Sequence, residues 1–511
     1  MLRPPATSRR RWLGAIFVVV GCATFTALCR ACWPFTPDDA YITMRYAQNL
    51  ASGEGPTFNA GGPPVEGYTS FLWMLLLAIP HRLGWDAVFL AKAVGVTAMV
   101  ACAAVAAVFT ASLTRSTTRN VFAPAAVTVL LLGSVPATAV HAVSGMETAL
   151  FTFLLMLFLT LLTRLCSHPT SWLTVGLAVV ALLLGLTRPE GNLAVLAGVL
   201  VAVPVVSASA RWLLLRYMAA IYVFGGAAYM LWRITYYGFL FPLPFYLKVF
   251  SPSLFAGSRD VWLFCVYFGV PLGALVALGL IRAPRALLPA GGAAVVLLIF
   301  FIFPSHIMGY YWRYLFPLVP FLCALAAIGY ANLQSWMESF STWPCTVSAS
   351  VLLVIPLALA LRLLADAPDA ISDRIDYATG LARAHTALGK ALHDLRVRDR
   401  SPVLAIGDSG AVPYYSGWRT IDTHGLNDVR IARSGVRDPE YVFSQHPDLV
   451  VLISTRPDRF EPLLAWEGAL YQRALSAGMV RLRALEFEPG GYYLWLLALP
   501  ANDITSALRA P

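Results

Sequence analysis

The first apolar run of the chain follows directly after three arginines and reads RRRWLGAIFVVVGCATFTAL at residues 9–28. This run is long enough to cross a membrane, and basic residues before a span are typical of its cytoplasmic end. The rest of the chain has the same character, because 58% of its 511 residues are hydrophobic and only 13% are charged. The sequence therefore predicts a polytopic α-helical membrane protein. We interpret the first run as an uncleaved span rather than a signal peptide, because it is long for a signal.

Apolar runs of similar length recur along the first 365 residues. About eleven of them can form transmembrane helices, at residues 12–32, 87–113, 121–142, 148–166, 172–187, 191–208, 213–235, 261–281, 287–304, 313–332 and 347–365. Arginines in the short loops, among them Arg3, Arg119 and Arg282, fall at alternate ends of successive runs and can all be cytoplasmic at once. They account for much of the net charge of +10 without a nucleic-acid partner. This alternation of basic loops predicts a cytoplasmic N-terminus and an extracytoplasmic C-terminus.

The apolar stretch Phe71–Leu83 is shorter than the others and is interrupted by Pro80, His81 and Arg82. A span at this point would move every later basic loop to the outer side. We therefore interpret it as a helix that lies on the outer membrane interface. It belongs to a first outer loop, which covers residues 33–86.

Residues 366–511 differ from the preceding chain, because charged residues become frequent and no spanning run follows. We predict an extracytoplasmic α/β domain here, separate from a transmembrane catalytic domain of residues 1–365. Apolar segments bounded by turn residues predict its elements. The predicted strands are Val403–Ile406, Leu449–Ile453 and Tyr492–Leu499, and the predicted helices are Leu381–Leu395 and Leu463–Ala477.

Two adjacent carboxylates, Asp38 and Asp39, stand just past the end of the first span. Ionisable groups at a membrane boundary are costly to bury and are candidates for function. One of the two can accept a proton from a hydroxyl, while the other orients it or holds a metal ion. A helix N-cap is the structural alternative, but it explains one aspartate and not the pair.

Further charged residues stand at the ends of the predicted spans on the same outer side. The acids are Glu66, Glu147 and Glu190, and the cations are Arg188, Lys248 and Arg313. Cations on this side depart from the positive-inside pattern, and the guanidinium fork of arginine suits phosphate oxygens. Each of these residues can instead be a solvated loop residue or an anchor at a helix end. The aromatic, proline-rich loop 236–248 can anchor in lipid headgroups or line a groove for a polyprenyl chain.

Carboxylates for an acceptor hydroxyl, cations for a leaving phosphate and an apolar groove are the requirements of glycosyl transfer from a lipid phosphate. The sequence contains neither GxGxxG nor GxxxxGK[ST], which fits an outer-face enzyme without access to nucleotide sugars. Two alternatives stay open. A lipid-linked-sugar transporter or flippase would need polar residues at mid-membrane. A non-catalytic cell-envelope assembly protein would use the outer domain as a binding module.

Several short motifs resemble a known family. They read DDAY and RYA at residues 38–41 and 45–47, VEGYTSFLW at 65–73, SGMET at 144–148, TRPEG at 187–191, GDSGAVPYYSG at 407–417 and IDTHGLND at 421–428. Together they are similar to the GT-C membrane glycosyltransferases. The resemblance is strongest to the bacterial terminal arabinofuranosyltransferases and related pilin-glycosylating enzymes.

The resemblance implies a GT-C-like fold in the bacterial plasma membrane, with Asp38 as catalytic base and Asp39 as support. It implies a polyprenyl-phosphate donor, with arabinofuranose as the favoured sugar, and a glycan or protein acceptor beside membrane lipid. Many members of the superfamily use a divalent metal, which Asp38 and Asp39 would hold, and the sequence leaves this open. Lys248, Arg188 and Arg313 are then the expected donor-phosphate ligands, and Glu66, Tyr68, Glu147, Glu190 and Tyr237 the expected acceptor or sugar ligands.

The role of the C-terminal domain stays open, because it can bind acceptor glycan or only cover the site. Asp408, Asp422 and Asp428 lie in a segment rich in glycine and proline and can equally be turn residues. No partner for His424 is evident from the sequence, and we expect no catalytic role for it.

Overall fold

The computed structural model describes residues 6–118, 121–249, 255–281, 283–306, 308–339, 345–395, 401–487, 491–500, 504–505 and 508. The predicted topology signals Arg3, Arg119 and Arg282 lie outside these residues, and so does the side chain of Lys248.

Most of the described chain is helical. Its α-helices, numbered in chain order, are α1 (Ala6–Ala31), α2 (Asp38–Ala51), α3 (Phe71–Leu83), α4 (Ala87–Thr114), α5 (Phe122–Gly133), α6 (Pro136–Val143), α7 (Thr148–Ser167), α8 (Ser171–Thr187), α9 (Gly191–Val205), α10 (Ala208–Tyr217), α11 (Phe224–Tyr237), α12 (Leu243–Val249), α13 (Ser258–Ile281), α14 (Leu288–Phe300), α15 (Val319–Ser339), α16 (Cys345–Leu364), α17 (Ala367–Leu381), α18 (Ala387–Asp394), α19 (Ala411–Ser416), α20 (Val429–Ser434), α21 (Pro439–Ser444) and α22 (Glu467–Ser476). Single π-helical turns join α10 to α11 and α17 to α18.

The helices bear out the predicted membrane character. Among the described residues, seven helical segments are long and apolar enough to cross a membrane, and the bent pair α5 and α6 makes an eighth. Each of the eleven predicted runs is helical, but three of them form the shorter apolar helices α8, α9 and α14. The polytopic helical fold is therefore confirmed, and the count of eleven spans stays a prediction. The interfacial position of α3, a helix of 13 residues, also stays a prediction.

The bend between α5 and α6 has a local cause. The two helices meet at 67°, and Pro136 is the first residue of α6. Proline has no backbone N–H and clashes with the preceding turn, so it favours a kink or a break in the helix at this position. The predicted span 121–142 is therefore two helices rather than one.

The chain divides into two compact units, which do not follow the predicted domain boundary. Unit 1 consists of Met1–Trp33, Ala91–Met230 and Ser251–Ile371, and unit 2 of Pro34–Leu90, Leu231–Phe250 and Ser372–Pro511. Unit 2 thus contains most of the predicted first outer loop and the aromatic loop together with the C-terminal domain. The division into functional domains at residues 365 and 366 stays a prediction.

Within unit 1, helices α13 and α15 approach each other at glycine. A Cβ atom added to Gly279 would lie too close to the carbonyl oxygen of Leu325 and 3.1 Å from the backbone nitrogen of Gly329. A Cβ atom on Gly329 would in turn overlap the carbonyl oxygen of Leu275. Close backbone approach at small residues is a common way to pack helices inside a membrane.

Unit 2 contains a five-stranded sheet with the order β2-β1-β3-β5-β4. The strands are β1 (Val403–Ile406), β2 (Arg419–Asp422), β3 (Leu449–Ser454), β4 (Val480–Phe487) and β5 (Tyr492–Ala498). β1 is parallel to β2 and β3, whereas β5 is antiparallel to β3 and β4. All residues of the central strands β1 and β3 are buried, as expected for strands covered on both faces.

The predicted elements of the C-terminal region are confirmed with shifted ends. β1, β3 and β5 occupy the three predicted strands, and the predicted helix Leu381–Leu395 is found as the turn and helix that end at Asp394. The second predicted helix starts later, at Glu467. The two edge strands β2 and β4 were not predicted. β2 has only four residues, and β4 carries arginines among apolar residues that are only partly buried.

The glycine contact between α13 and α15 can be tested within a single helix. We expect Gly279→Ala to destabilise the protein by about 1–3 kcal/mol, because the added methyl group forces the two helices apart. Gly273→Ala, also in α13, is the matched control, because a Cβ atom at Gly273 meets nothing within 4 Å. Thermal unfolding in detergent would measure both variants. Equal melting temperatures for the two would contradict this account of the packing.

Candidate active site

Asp38 is the first residue of α2, and its carboxylate is held by backbone donors. The N–H groups of Gly410 and Ala411 donate to the two carboxylate oxygens at 3.0 and 2.7 Å. The N–H of Asp38 itself donates to the hydroxyl oxygen of Tyr377 at 3.0 Å. Glycine is needed at position 410, because a Cβ atom there would overlap Asp38. The carboxylate is therefore fixed in one orientation by donors that lie 372 and 373 residues away in the chain.

A second carboxylate and a histidine lie in the same neighbourhood of unit 2. The ring atom Nε2 of His385 is 3.0 Å from Oδ2 of Asp408, and the hydroxyl of Tyr492 donates to the same oxygen at 3.3 Å. Burial raises the pKa of Asp38 to about 6, the charge of His385 opposes this shift, and the charge of Asp408 adds to it. Burial also raises the pKa of Asp408, but its hydrogen bond to His385 and the histidine charge bring it below its ordinary value. Of these two carboxyl groups, Asp38 is thus the one that can exchange a proton near neutral pH.

The buried guanidinium of Arg45, in α2, fixes the loop that follows this helix. It donates to the carbonyl oxygens of Phe58 at 2.6 Å and Trp418 at 2.7 Å, and also to that of Pro413. It further donates to the side-chain oxygen of Asn59 at 3.1 Å. Five N–H donors in one plane make arginine suited to several carbonyl acceptors at once. The segments 58–59 and 413–418 are thereby held to the helix that begins with Asp38.

A buried polar network joins four of the sequence motifs. The hydroxyl of Tyr46 accepts the N–H of Gly67 at 2.8 Å and donates to Oδ1 of Asn427 at 2.9 Å. Asp422 accepts hydrogen bonds from the Ser409 hydroxyl and the Asn427 amide, and from backbone N–H groups of residues 424, 425 and 427. Asp422 therefore organises a turn, as its alternative interpretation predicts.

Glu66 is buried in an ion pair with Arg233. The Nε atom of Arg233 lies 2.9 and 2.7 Å from the two carboxylate oxygens of Glu66, and Nη2 lies 2.7 Å from one of them. Nearby, the hydroxyl groups of Tyr68 and Tyr237 are 3.0 Å apart, and the Tyr237 hydroxyl donates to the carbonyl oxygen of Pro56 at 2.8 Å. The predicted ligands Glu66, Tyr68 and Tyr237 thus lie in one buried cluster of unit 2.

Unit 1 contains a separate cluster of predicted site residues. Glu147 lies 3.6 Å from Arg188 and 3.3 Å from Arg313, measured between carboxylate oxygen and guanidinium nitrogen. Arg188 also pairs with Glu190 at 2.6 Å. Burial raises the pKa of Glu147, but the two arginines outweigh burial and lower it overall, so Glu147 is ionised. Two cations and two anions therefore compensate each other in this cluster.

The turn that leads to Arg313 has an unusual backbone. Met308, Tyr311 and Trp312 have positive φ angles of 55°, 46° and 55°. Such conformations cost about 1–3 kcal/mol each in residues other than glycine and are found mainly at functional sites. The carbonyl oxygen of Tyr311 lies 3.0 Å from Nε2 of His141. The surrounding structure therefore holds this turn in a strained conformation beside the cluster.

The fold and the sequence of this chain are similar to those of known proteins. In fold, the chain is similar to ArnT from Cupriavidus metallidurans, which was crystallised with undecaprenyl phosphate. The TM-score is 0.63 at 14% sequence identity, and the match covers 97% of this chain and 99% of ArnT. It is also similar to the oligosaccharyltransferase AglB from Archaeoglobus fulgidus, solved with an inhibitory peptide and a dolichol-phosphate, with a TM-score of 0.51 at 10% identity over 93% of this chain and 74% of AglB. The chain has a GT-C-like fold.

In sequence, the GT-C-like chain is 32% identical over 219 residues to the terminal β-(1→2)-arabinofuranosyltransferase of Mycobacterium tuberculosis. The match covers 40% of this chain and about a third, 33%, of the relative. Residues 376–495 match a family model described as a domain of unknown function (DUF8728). The fold prediction is thus confirmed, and the resemblance to arabinofuranosyltransferases is found in sequence as well.

The predicted site residues of the GT-C-like chain fall into the two units. Unit 2 contains the acids of the first outer loop and the two tyrosines, whereas unit 1 contains the SGMET and TRPEG motifs with Arg313. Lys248 belongs to α12, and its side chain lies outside the described residues. The predicted roles of all these residues stay predictions.

Sequence reasoning assigned no role to four residues of these networks, namely Arg45, which is part of the RYA motif, and Arg233, Tyr377 and His385. Arg233 is an isolated cation inside the apolar run 213–235, and that isolation was an available signal. Tyr377 and His385 carry no local signal, since only the fold brings them to Asp38 and Asp408.

The described residues do not test a metal ion held by Asp38 and Asp39. Each oxygen of Asp38 accepts one backbone N–H and keeps a further lone pair for a proton or a metal ion. Within the described ranges, no group of three or more His, Cys, Asp or Glu side chains is arranged to bind a metal.

The buried ion pair between Glu66 and Arg233 gives a stability prediction. We expect Arg233→Met to destabilise the protein by about 3–5 kcal/mol, because an unpaired carboxylate is left in a buried position. The double variant Glu66→Gln with Arg233→Met should recover part of this loss, since neither charge remains. Arg483→Met, at an exposed position of β4, is the control. Melting temperatures that are the same for Arg233→Met and Arg483→Met would contradict the prediction.

Proposed function

We propose that this chain is an integral-membrane glycosyltransferase of GT-C type. It transfers a sugar, with arabinofuranose favoured, from a polyprenyl-phosphate donor to an extracytoplasmic glycan or protein. The GT-C-like fold over nearly the full chain supports the lipid-phosphate donor, because ArnT and AglB were solved with polyprenyl phosphates. The partial match to a terminal arabinofuranosyltransferase supports the sugar.

The observation that carries the proposal is the environment of Asp38. A general base works best when its pKa is near the working pH, and burial raises the pKa of Asp38 to about 6. The two N–H donors from Gly410 and Ala411 fix the orientation of the carboxylate without protonating it. The fixed carboxylate and its raised proton affinity support Asp38 as the proposed base.

The reaction that follows has a simple balance. The acceptor oxygen forms a bond to the anomeric carbon of the donor sugar, and the bond between that carbon and the phosphate oxygen breaks. Asp38 takes the proton of the acceptor hydroxyl, and polyprenyl phosphate leaves with the bonding electron pair. Asp39, which follows Asp38 in the first turn of α2, adds negative charge that favours proton uptake at Asp38.

Arg188 and Arg313 are the proposed ligands of the leaving phosphate, together with Lys248. Both arginines are bound to Glu147, so a phosphate would share or replace that partner. This arrangement keeps the two guanidinium groups in place before the donor arrives.

The proposed sugar and acceptor ligands are Glu66, Tyr68, Glu147, Glu190 and Tyr237. Tyr68 and Tyr237 offer hydroxyl groups, and Glu66 and Glu190 offer carboxylate oxygens whose charge an arginine already balances. Balanced carboxylates bind sugar hydroxyl groups without the cost of an isolated buried charge.

The proposal includes a location and an orientation. The enzyme would lie in a bacterial plasma membrane with its N-terminus in the cytoplasm and its C-terminal region outside. The arrangement of arginines in the short loops supports this orientation.

Asp38→Asn tests the base directly. We expect it to lower turnover by roughly 10²–10⁴, because the amide cannot take the acceptor proton. Transfer of radiolabelled sugar from synthetic polyprenyl phosphate by the purified protein is the measurement. In the native protein the rate should rise with pH through about 6, since only the ionised Asp38 is a base. The variant should lack this rise.

Asp86→Asn is the matched control. The carboxylate of Asp86 also accepts two backbone N–H groups at a helix start, from Val88 at 2.9 Å and Phe89 at 3.0 Å. If both variants lose activity and stability equally, Asp38 is only a helix anchor. Full activity of Asp38→Asn would remove it from the mechanism. Absence of transfer by the native protein would favour a flippase or an assembly protein instead.

A further inference from the structure

Unit 2 contains a cavity of about 840 Å³ whose lining includes none of the predicted site residues. Its walls are the loop 59–65, the edge strand β2 and the short helices α20 and α21. Three arginines line it, namely Arg419, Arg430 and Arg433, and we call it the basic cavity. Its size is in the range of sites that bind small ligands or a few sugar units.

The charge in the basic cavity is net positive. All three arginines are exposed. The one acidic residue among the lining residues, Asp428, accepts the N–H of Ile431 at the start of α20 with one oxygen and the hydroxyl of Tyr441 at 2.8 Å with the other. Three guanidinium groups and one carboxylate therefore line the cavity, which leaves an excess of positive charge for an anionic ligand.

The three arginines differ in their contacts with acidic and aromatic side chains. Arg430 lies over the ring of Tyr441 at 4.4 Å and is 3.6 Å from Asp438. Arg433 lies 5.7 Å from the ring of Phe239. Arg419 has no ion-pair or side-chain hydrogen-bond partner within the part of the chain that the structure describes. Arg419 and Arg433 are thus the two cations with the most capacity for a ligand.

The walls of the basic cavity are held rigidly. The side-chain amide of Asn59 donates to the carbonyl oxygen of Thr420 and accepts its N–H, both at 2.9 Å, so the loop is bound to β2. Arg45 donates a further hydrogen bond to the side-chain oxygen of Asn59. A site that is ordered before its ligand arrives loses less entropy on binding.

The chemistry of the walls indicates the ligand class. Guanidinium groups bind carboxylate and phosphate groups through paired N–H donors. The loop 59–65 that forms one wall continues directly into Glu66 and Gly67, two residues of the VEGYTS motif in the same unit. A polymer in the cavity would therefore lie along the chain segment that leads to the proposed sugar ligands.

We propose that the basic cavity binds the acidic groups of an anionic glycan, and that this glycan is the acceptor. The second half of the proposal rests on the proposed glycosyltransferase function, whereas the binding of an anionic saccharide does not. The acidic group is a carboxylate or a phosphate, which share the same recognition by arginine.

Binding to the full-length protein in detergent tests the cavity without any donor. The probes are tetragalacturonate, its methyl ester and inorganic phosphate. We expect the acid to bind at least about tenfold more tightly than the neutral ester, and its affinity to fall with added salt. The double variant Arg419→Gln with Arg433→Gln should lose at least about tenfold of the affinity for the acid.

The double variant Arg456→Gln with Arg459→Gln is the matched control. It removes the same charge from exposed positions of the same unit that do not line the cavity. It should keep the affinity of the native protein. Equal loss in both double variants, or equal binding of acid and ester, would overturn the proposal.

Inorganic phosphate separates the two acidic groups. Competition by phosphate at millimolar concentration supports a phosphate-bearing glycan, and binding of galacturonate alone supports a carboxylate. Binding of neither probe overturns the proposal. The transfer assay stays independent, because a protein that binds the acid but transfers no sugar would contradict the proposed function and leave the cavity intact.

Discussion

The buried guanidinium of Arg45 is the interaction on which the arrangement of unit 2 depends. It belongs to the helix that begins with Asp38, and it binds carbonyl oxygens of two segments, at residues 58 and 413–418. The second segment overlaps α19, whose first N–H group donates to the Asp38 carboxylate. Carbonyl oxygens carry no net charge, so the arginine keeps its positive charge while it is buried. Loss of this contact would release both the loop and the strand that bound the basic cavity.

Compensation of buried charge is a common property of both polar clusters. Glu66 is paired with Arg233 in unit 2, and Glu147 is paired with Arg188 and Arg313 in unit 1. Isolated charges in these positions would cost several kcal/mol each, and pairing offsets much of that cost. Asp38 differs, because neutral N–H groups bind it rather than a cation. Its proton affinity is therefore raised by burial, whereas that of Glu147 is lowered by its partners.

The sequence indicated the membrane part well, because an apolar run of about 20 residues has few other solutions. Strands β1, β3 and β5 were also predictable, since they are short apolar runs between turn residues. β2 was not, because its four residues begin with an exposed arginine and follow a turn-rich segment. The motifs identified Asp38, Glu66, Glu147 and Arg188 as candidates, but not Tyr377 as a partner of Asp38 or Arg233 as the partner of Glu66.

Those partners follow from long-range packing. Tyr377 lies 339 residues from Asp38 in the chain, and Arg233 lies 167 residues from Glu66. A motif describes neighbours in sequence and carries no information about such contacts. Composition also led to a domain boundary at residue 365, whereas the compact unit around the sheet takes in segments from three parts of the chain.

The side chain of Asn59 has a consequence for solubility outside the membrane. β2 is the last strand of the sheet on its side, and such a strand offers unpaired N–H and carbonyl groups to any extended peptide. The asparagine amide imitates a peptide group and satisfies Thr420 from that open side. The edge of the sheet is thereby hydrogen-bonded to a single side chain instead of a further strand. This contact opposes self-association through the edge of the sheet, while β2 still forms one wall of the basic cavity.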